Sequence, residues 1–366
     1  MKNQSLLFIS VALIFSNSYA APDDLFLQAT PAKNKLTTNI SLDLVNDTVD
    51  FLNLRESEGV KGDSGDYIGG HLNVQYQLYP EWSINADYWH REIEFAQDTN
   101  KLNTTALGLT YTPESLSTDD SDLAFKLSFW GNKANEVSKS TPTLVNGRKI
   151  DEVTVSNPRD MQIQLDTIYT HKIDFMNQIN LFGSLGYSQV KVDELDLMVH
   201  LTGEGRDCKA NININSNNQV TGTPIGRCLI DGLIVRDIDV GQYADQFGLD
   251  MQKDLNYDSY YAGLGGSWNW RYKQFESQIA YQYQRLWRND IDDRVSNFGN
   301  APIKDNHTLG VKFSYDFTPQ ITAFLQGEIY QNNFVGNIPF LYNGVTASRL
   351  DKRYGLASLG LNIRMF

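Results

Sequence analysis

Long apolar runs are missing from this 366-residue chain. Beyond the N-terminus no stretch of about 18 apolar residues occurs, which excludes a bundle of membrane-spanning helices. Basic blocks are missing too. With 44 acidic against 31 basic side chains and a formal charge of −13, the chain has no means of neutralising a phosphate backbone, so no nucleic acid is expected as a partner. Cofactor motifs are absent: Gly203-Glu204-Gly205 and Gly263 to Gly266 lack the Lys-Ser/Thr context of a phosphate loop. The histidines, His71, His90, His171, His200 and His307, have no metal-pair spacing. Asp290, Asp292 and Asp293 lack the glycine and distal glutamate of a calcium loop, so they read as a solvated charged loop. No cofactor, metal or catalytic residue is therefore assigned. What is present is 41% apolar residues, 12% of the chain aromatic, which excludes disorder.

Lys2, the ten-residue apolar run Leu6–Phe15 and the small residues Ser18 and Ala20 form an export signal, with cleavage expected after Ala20. Residues 1–20 are thus read as a signal peptide, 21–35 as a short periplasmic segment and 36–366 as one large sheet domain.

From Leu36 onward apolar and polar residues alternate with period two, which puts one set on each face of a strand. Leu36, Thr38, Ile40, Leu42 and Leu44 oppose Thr37, Asn39, Ser41 and Asp43. The same pattern recurs at Leu72–Leu78, Trp82–Tyr88, Leu107–Tyr111, Leu123–Phe129, Met161–Leu165, Ile179–Tyr187, Tyr260–Trp270, Phe275–Tyr283, Leu309–Phe317, Ile321–Ile329 and Ala357–Met365, about twelve strands in all. A soluble sandwich also alternates. Three features favour a membrane barrel instead. Some apolar faces run for about five alternate positions, the reach of a tilted strand across hydrocarbon. Aromatic residues crowd the strand ends, as at Tyr79, Trp82, Trp268, Trp270, Tyr315 and Phe317. Short connections at Tyr79-Pro80-Glu81, 271–274 and Thr318-Pro319-Gln320 alternate with long ones at 46–66, 132–160, 190–258, 289–305 and 332–352. Hydrocarbon offers no partner to backbone N–H or C=O, so such a sheet must close on itself. The expectation is an all-β, transmembrane, antiparallel up-and-down barrel of about twelve strands, ten and fourteen being the neighbouring even counts, with short periplasmic turns and long extracellular loops.

With its signal peptide, its strand pattern from Leu36 to Met365 and its terminal Phe366, the chain resembles bacterial outer-membrane β-barrel proteins. The ending Gly360-Leu361-Asn362-Ile363-Arg364-Met365-Phe366 is similar to the last strand of autotransporter barrels, including solitary barrels without a passenger. The resemblance implies location in the outer membrane, contact with the lipid bilayer and lipopolysaccharide, and Phe366 as a signal to the barrel-assembly machinery, although Phe366 falls one residue out of phase with Met365. The segment Ala21–Lys35 carries Pro22 and Pro31 and shows no helix to plug a pore.

The polar phase assigns Asp43, Asp87, Arg91, Lys126, Asp166, Glu276, Gln278, Gln282, Lys312, Asp316, Glu328 and Arg364 to the lumen. Either these pair across a narrow barrel and fill it, or they line a wet passage; twelve strands lie between the packed and the open cases. The leading reading is a porin-like passive channel for small polar solutes. A non-conducting structural or surface-interaction barrel is the alternative, and a hydrolase assembled only by folding is a third. The two cysteines, Cys208 and Cys228, lie in the 190–258 loop and read as a disulfide in an exported protein. The flanks Leu195–Leu201 and Ile234–Val240 suggest a hairpin with an Asn-, Gly- and Pro-rich tip between them.

Overall fold

The computed structural model describes residues 24–29, 35–45, 64–95, 98–139, 143–145, 148–203, 206–230, 233–234, 236, 238–241, 250–288, 291–297, 301–331, 338–342 and 353–365. The signal segment 1–20, Asp290 and Phe366 lie outside the described residues. Twelve strands form one closed barrel. They are β1 (Leu36–Val45), β2 (Ser64–Tyr79), β3 (Trp82–Phe95), β4 (Asp98–Tyr111), β5 (Ser121–Ala134) and β6 (Arg159–Lys172). Then follow β7 (Asn177–Lys191), β8 (Tyr257–Tyr272), β9 (Phe275–Arg288), β10 (Asp305–Asp316), β11 (Ile321–Gln331) and β12 (Arg353–Met365). Each pairs antiparallel with its chain neighbours, and β12 closes on β1 with Met365 opposite Leu36 and Leu361 opposite Ile40. No sheet edge is left, so every strand has ladder partners on both sides.

The alternation resolves into two walls, inverted relative to a water-soluble protein. Leu42 is 64% exposed and its neighbour Asp43 is 2% exposed; Leu185 and Ser184 stand at 66% and 4%, Leu165 and Asp166 at 48% and 0%. Exposed leucines and buried carboxylates in strict alternation make sense only if the outside is apolar. Aromatic contacts mark the short-turn end: Trp82 stacks on Tyr111 at 4.4 Å, Phe275 on Phe313 at 6.2 Å, and Tyr315 meets Phe317 at 5.1 Å. Tyr187 and Tyr260, 5.2 Å apart, sit toward the other end. Amphipathic rings in these places are what an interface selects.

At the long-loop end nine short strands from 136–156 and 194–241 form a second sheet with its own core. Here the expected hairpin is corrected. Glu194–Gly203 pairs with Arg206–Asn215, not with 234–240. Most of the Asn-rich stretch is strand: buried Ala210, Ile212 and Ile214 alternate with outward Asn211, Asn213 and Asn215, while Asn217 and Asn218 lie in the turn that leads to Val220–Pro224. Period two, rather than asparagine content, decided the local structure. Cys208 and Cys228 form a disulfide, fully buried among Leu195, Val199, Met251 and their neighbours. Two short helices, α1 (Met251–Asp254) and α2 (Ile291–Asn297), complete this end. Asp250 caps α1 by accepting the Gln252 N–H at 3.0 Å.

Candidate functional site: a divided barrel lumen

All twelve residues assigned to the lumen project into the barrel, because each shares the phase of its strand's buried set. The fold joins some of them. At the short-turn end Arg271 Nε donates to Glu276 at 2.8 Å, Gln278 also donates to Glu276, and Arg364 donates to Asp316 at 2.9 Å. At mid-barrel Asp87 accepts from Asn73 at 2.5 Å and Asn85 at 2.7 Å, and lies 3.3 Å from His71 Nε2. Lys126 is the cross-strand neighbour of Asp166. Arg91 is fully buried nearer the long-loop end, donating to Thr104 and, at 3.0 Å, to Asn132; Asn132 in turn donates to Asp160 at 2.8 Å. Gln282, Glu328 and Asp43 line a separate chamber. These groups stand at different heights on different strands and do not converge on one point.

Three features of the interior escape sequence reasoning. First, the segment expected as a periplasmic tail enters the lumen where it is described. Leu25, Leu27 and Ala29 are buried; Leu27 and Ala29 pack on Ala124, Ile168 and Phe182. Ala29 N–H donates to Thr170 Oγ1 at 2.8 Å, and Gln178 donates to Gln28 at 3.3 Å. Lys312 lies over the Phe26 ring at 5.5 Å and the Phe324 ring at 4.5 Å. Gly310 makes the passage possible, since a Cβ there would stand 2.3 Å from the Leu25 side chain.

Second, aromatic side chains point inward on otherwise polar phases: Phe182 over Gly265, Tyr261 over Gly186 and Phe324 over Gly360. Trp130, Tyr261, Ala106 and Leu286 form an apolar layer across one side of the barrel. An inward aromatic facing a glycine on the adjacent strand is the signal that could have revealed this filling. Third, α2 and Ile338–Tyr342 fold into the long-loop mouth. Ile291, Val295, Ile338, Phe340 and Tyr342 pack with Trp89, Leu102, Tyr257, Tyr330 and Leu356 from the wall. Tyr257 OH donates to Pro339 O at 2.6 Å, Tyr342 OH donates to Asp292 at 3.0 Å, and the Arg288 guanidinium lies 4.0 Å over the Tyr342 ring.

The N-terminal segment divides the remaining space. A chamber of about 50 Å³ on the long-loop side is bounded by Leu25, and a cavity of about 270 Å³ by Phe26, Leu27 and Gln28; Asn39 and His71 line both. Folding also assembles a Ser–His contact, Ser121 Oγ to His171 Nδ1 at 2.9 Å, with Tyr169 OH 3.1 Å from the serine. It stands on the outer wall beside the short turns as part of the aromatic girdle, with a phenol rather than a carboxylate beside it. Among the described residues no cluster of three or more metal-ligating side chains forms.

A closed twelve-strand sheet, apolar outside and polar within, is an outer-membrane β-barrel protein. Neither a family model nor a curated protein sequence matches the chain. Among solved structures it is similar to the translocator domain of the autotransporter NalP from Neisseria meningitidis, at 9% identity and a TM-score of 0.49, covering 94% of this chain and 91% of that one. It is also similar to the NanC porin, at 8% identity and a TM-score of 0.39 over 90% and 100% of the two chains. The toluene transporter TodX of Pseudomonas putida follows at 10% identity and a TM-score of 0.36, covering 91% of each. With every one of these scores under 0.5, the class rests on the barrel's own geometry.

Proposed function

We propose that this protein is a gated channel of the bacterial outer membrane for small polar solutes, closed in this conformation by its N-terminal segment and its loop cap. The observation that carries the reading is the polar wall on either side of Leu25 and Phe26, where amides and carboxylates face cavities instead of packing. A barrel filled for stability alone gains more from burying apolar groups there. The segment is also held weakly. Burial of Leu25 and Leu27 and two hydrogen bonds contribute about 4–9 kcal/mol. Ordering the backbone of six residues costs about 6–12 kcal/mol. Balance within a few kcal/mol lets the segment leave.

In this reading the short turns are periplasmic, the second sheet is extracellular, the apolar wall meets lipid and lipopolysaccharide, and Phe366 serves the assembly machinery. The second sheet, with its own disulfide-closed core and the exposed Leu233 and Ile234, favours one other reading: a non-conducting barrel that displays a recognition surface. Planar-bilayer recording separates the two. The intact protein should pass little current; deleting 24–29 and replacing α2 with a Gly-Ser linker should open a stable conductance. A correctly folded double variant that stays silent defeats the channel and leaves the surface reading.

A further inference from the structure

We infer that the outward rim of β5, β6 and β7 is a binding site for the phosphorylated sugar headgroup of an outer-leaflet glycolipid. The inference rests on the part of the proposed reading that puts the second sheet outside the cell, and it does not need conduction. Lys133, Arg159 and Lys191 stand in one row across the three strands, Lys133 opposite Arg159 and Arg159 opposite Lys191. They share the outward phase of Phe129, Met161 and Tyr187. The row lies four residues beyond the one formed by Phe129, Ile163, Tyr187 and Tyr260. Along the strands that is about 13 Å, or about 10 Å of height at a tilt of about 40°. At this level headgroups, rather than acyl chains, meet the wall.

The charge of this row is not compensated from within. Asp193 accepts from Arg159 at 2.7 and 2.9 Å. Lys133 and Lys191 are exposed and form no ion pair among the described residues. By contrast, the outward Lys101 is matched by Glu92 at 2.8 Å and the outward Arg285 by Asp305 at 2.7 Å. A cavity of about 430 Å³ opens beside the row, between the wall and the second sheet, and Arg159, Gln189, Lys191, Ser216, Gln252 and Lys253 help to line it. Lys253 is paired with Asp250 at 3.0 Å. Asp258, also lining the cavity, accepts from Gln189 at 3.1 Å; against its single charge stand two ammonium groups, so an anion is favoured over a cation. A phosphate monoester carries about two negative charges and three acceptor oxygens. Lys133 and Lys191 are two strands, about 10 Å, apart, a gap that two flexible four-carbon side chains close on one anion. Gln189, Ser216 and Gln252 add amide and hydroxyl groups suited to sugar hydroxyls. Below the row the exposed Phe129, Met161, Ile163 and Leu185 continue as a wall for acyl chains, which assigns the phosphate to a lipid rather than to a free phosphosugar.

Native mass spectrometry of the full-length protein in detergent tests this. The probes are bisphosphorylated lipid A, the same lipid with both phosphates removed, phosphatidylglycerol and free glucosamine phosphate. Lipid A should be retained, and each of the other three held at least about tenfold more weakly. Combining Lys133→Gln with Lys191→Gln should weaken lipid A binding about tenfold. Lys273→Gln, on an exposed short turn at the opposite end, should leave it unchanged. Equal retention of the dephosphorylated lipid, of phosphatidylglycerol or of glucosamine phosphate overturns the site, as does unchanged affinity in the folded double variant. If the double variant fails to fold, the order of the four probes decides alone. Neither orientation nor current enters this readout. Lipid A retained by a protein whose opened variant passes no current would strike the channel reading only; current without lipid A binding would strike this site only.

Discussion

Two arcs of the barrel share one outer wall and differ inside. On β4 to β8 apolar inward residues, Ala106, Ala124, Trp130, Ile168, Phe182 and Tyr261, stand among the polar ones and pack into two clusters with Leu286 and the N-terminal segment. On β1 to β3 and β9 to β12 Asn39, Asp43, His71, Gln282, Gln284, Asn306, Gln326 and Glu328 surround cavities, with Trp89, Phe324 and Tyr330 beside them. Lipid dictates the outward phase equally for both. Nothing in lipid dictates the inward phase, so it is free to pack on one arc and to line cavities on the other. The difference is one of degree, since Lys126, Gln164, Asp166 and Asn180 are buried polar groups on the packed arc as well.

The largest effect should come from emptying the packed arc. Trp130→Ala should destabilise the barrel by about 3–5 kcal/mol, read from urea unfolding in lipid vesicles. Gln282→Ala on the wet arc should cost under about 1 kcal/mol; equal costs would erase the distinction between the arcs. Next, Leu127→Arg or Val311→Arg, outward on opposite arcs, should each cost about 2–4 kcal/mol near the midplane. Gln282→Arg should be far milder, and an inward arginine as costly as the outward ones would invert the assigned phase.

A third comparison sets barrel against outer sheet. Replacing Cys208 and Cys228 with Ser should remove roughly 3 kcal/mol from the sheet, since the bridge spans 20 residues. Hydrogen exchange should rise across 194–241 while resistance of the barrel to boiling in detergent stays unchanged. Loss of that resistance would make the sheet part of the barrel's own stability.

The smallest effect concerns the turn between β6 and β7. Hydrogen bonds from the Asn177 side chain and the Met176 N–H hold the exposed Asp174 carboxyl below its ordinary pKa. A carboxyl lowered on folding stabilises the turn at neutral pH, and that contribution disappears as pH falls through its folded value. Asp174→Asn should therefore flatten the local acid dependence of amide exchange at 173–177 without altering the arcs. An unchanged acid profile would mean that the carboxylate does not order this turn.

The twelve strands and their phase were legible because a membrane barrel repeats one instruction, two residues long, on every strand. Leu359, Leu361, Ile363 and Met365 announce their face without reference to any other part of the chain. The interior was half legible for the same reason. Phase places Asp87 and Arg91 inside, but their partners Asn73 and Asn132 depend on register, which alternation alone leaves open. Trp130, Phe182 and Phe324 stand on polar phases, and their role appears only beside the glycines and neighbours that other strands supply. Leu25, Leu27 and Ala29 alternate as a strand would, but the run is too short, beside Pro22 and Pro31, to announce that the segment enters the lumen. In 206–215 the reverse happened: the composition of asparagine drew attention from an alternation that was there to be read.

The most direct test is a spin-label scan along β11, from Ile321 to Gln331, in lipid vesicles. Collision with oxygen, which partitions into lipid, and with a neutral nickel chelate, which stays in water, should be measured with and without residues 24–29. Odd positions, including Leu325 and Ile329, should be accessible to oxygen in both proteins. Even positions, including Gln326 and Glu328, should be shielded from oxygen and become accessible to the nickel chelate when the segment is removed. Absence of alternation would contradict the barrel's two walls. Even positions that stay inaccessible to the chelate after the deletion would contradict a lumen gated by its own N-terminal segment.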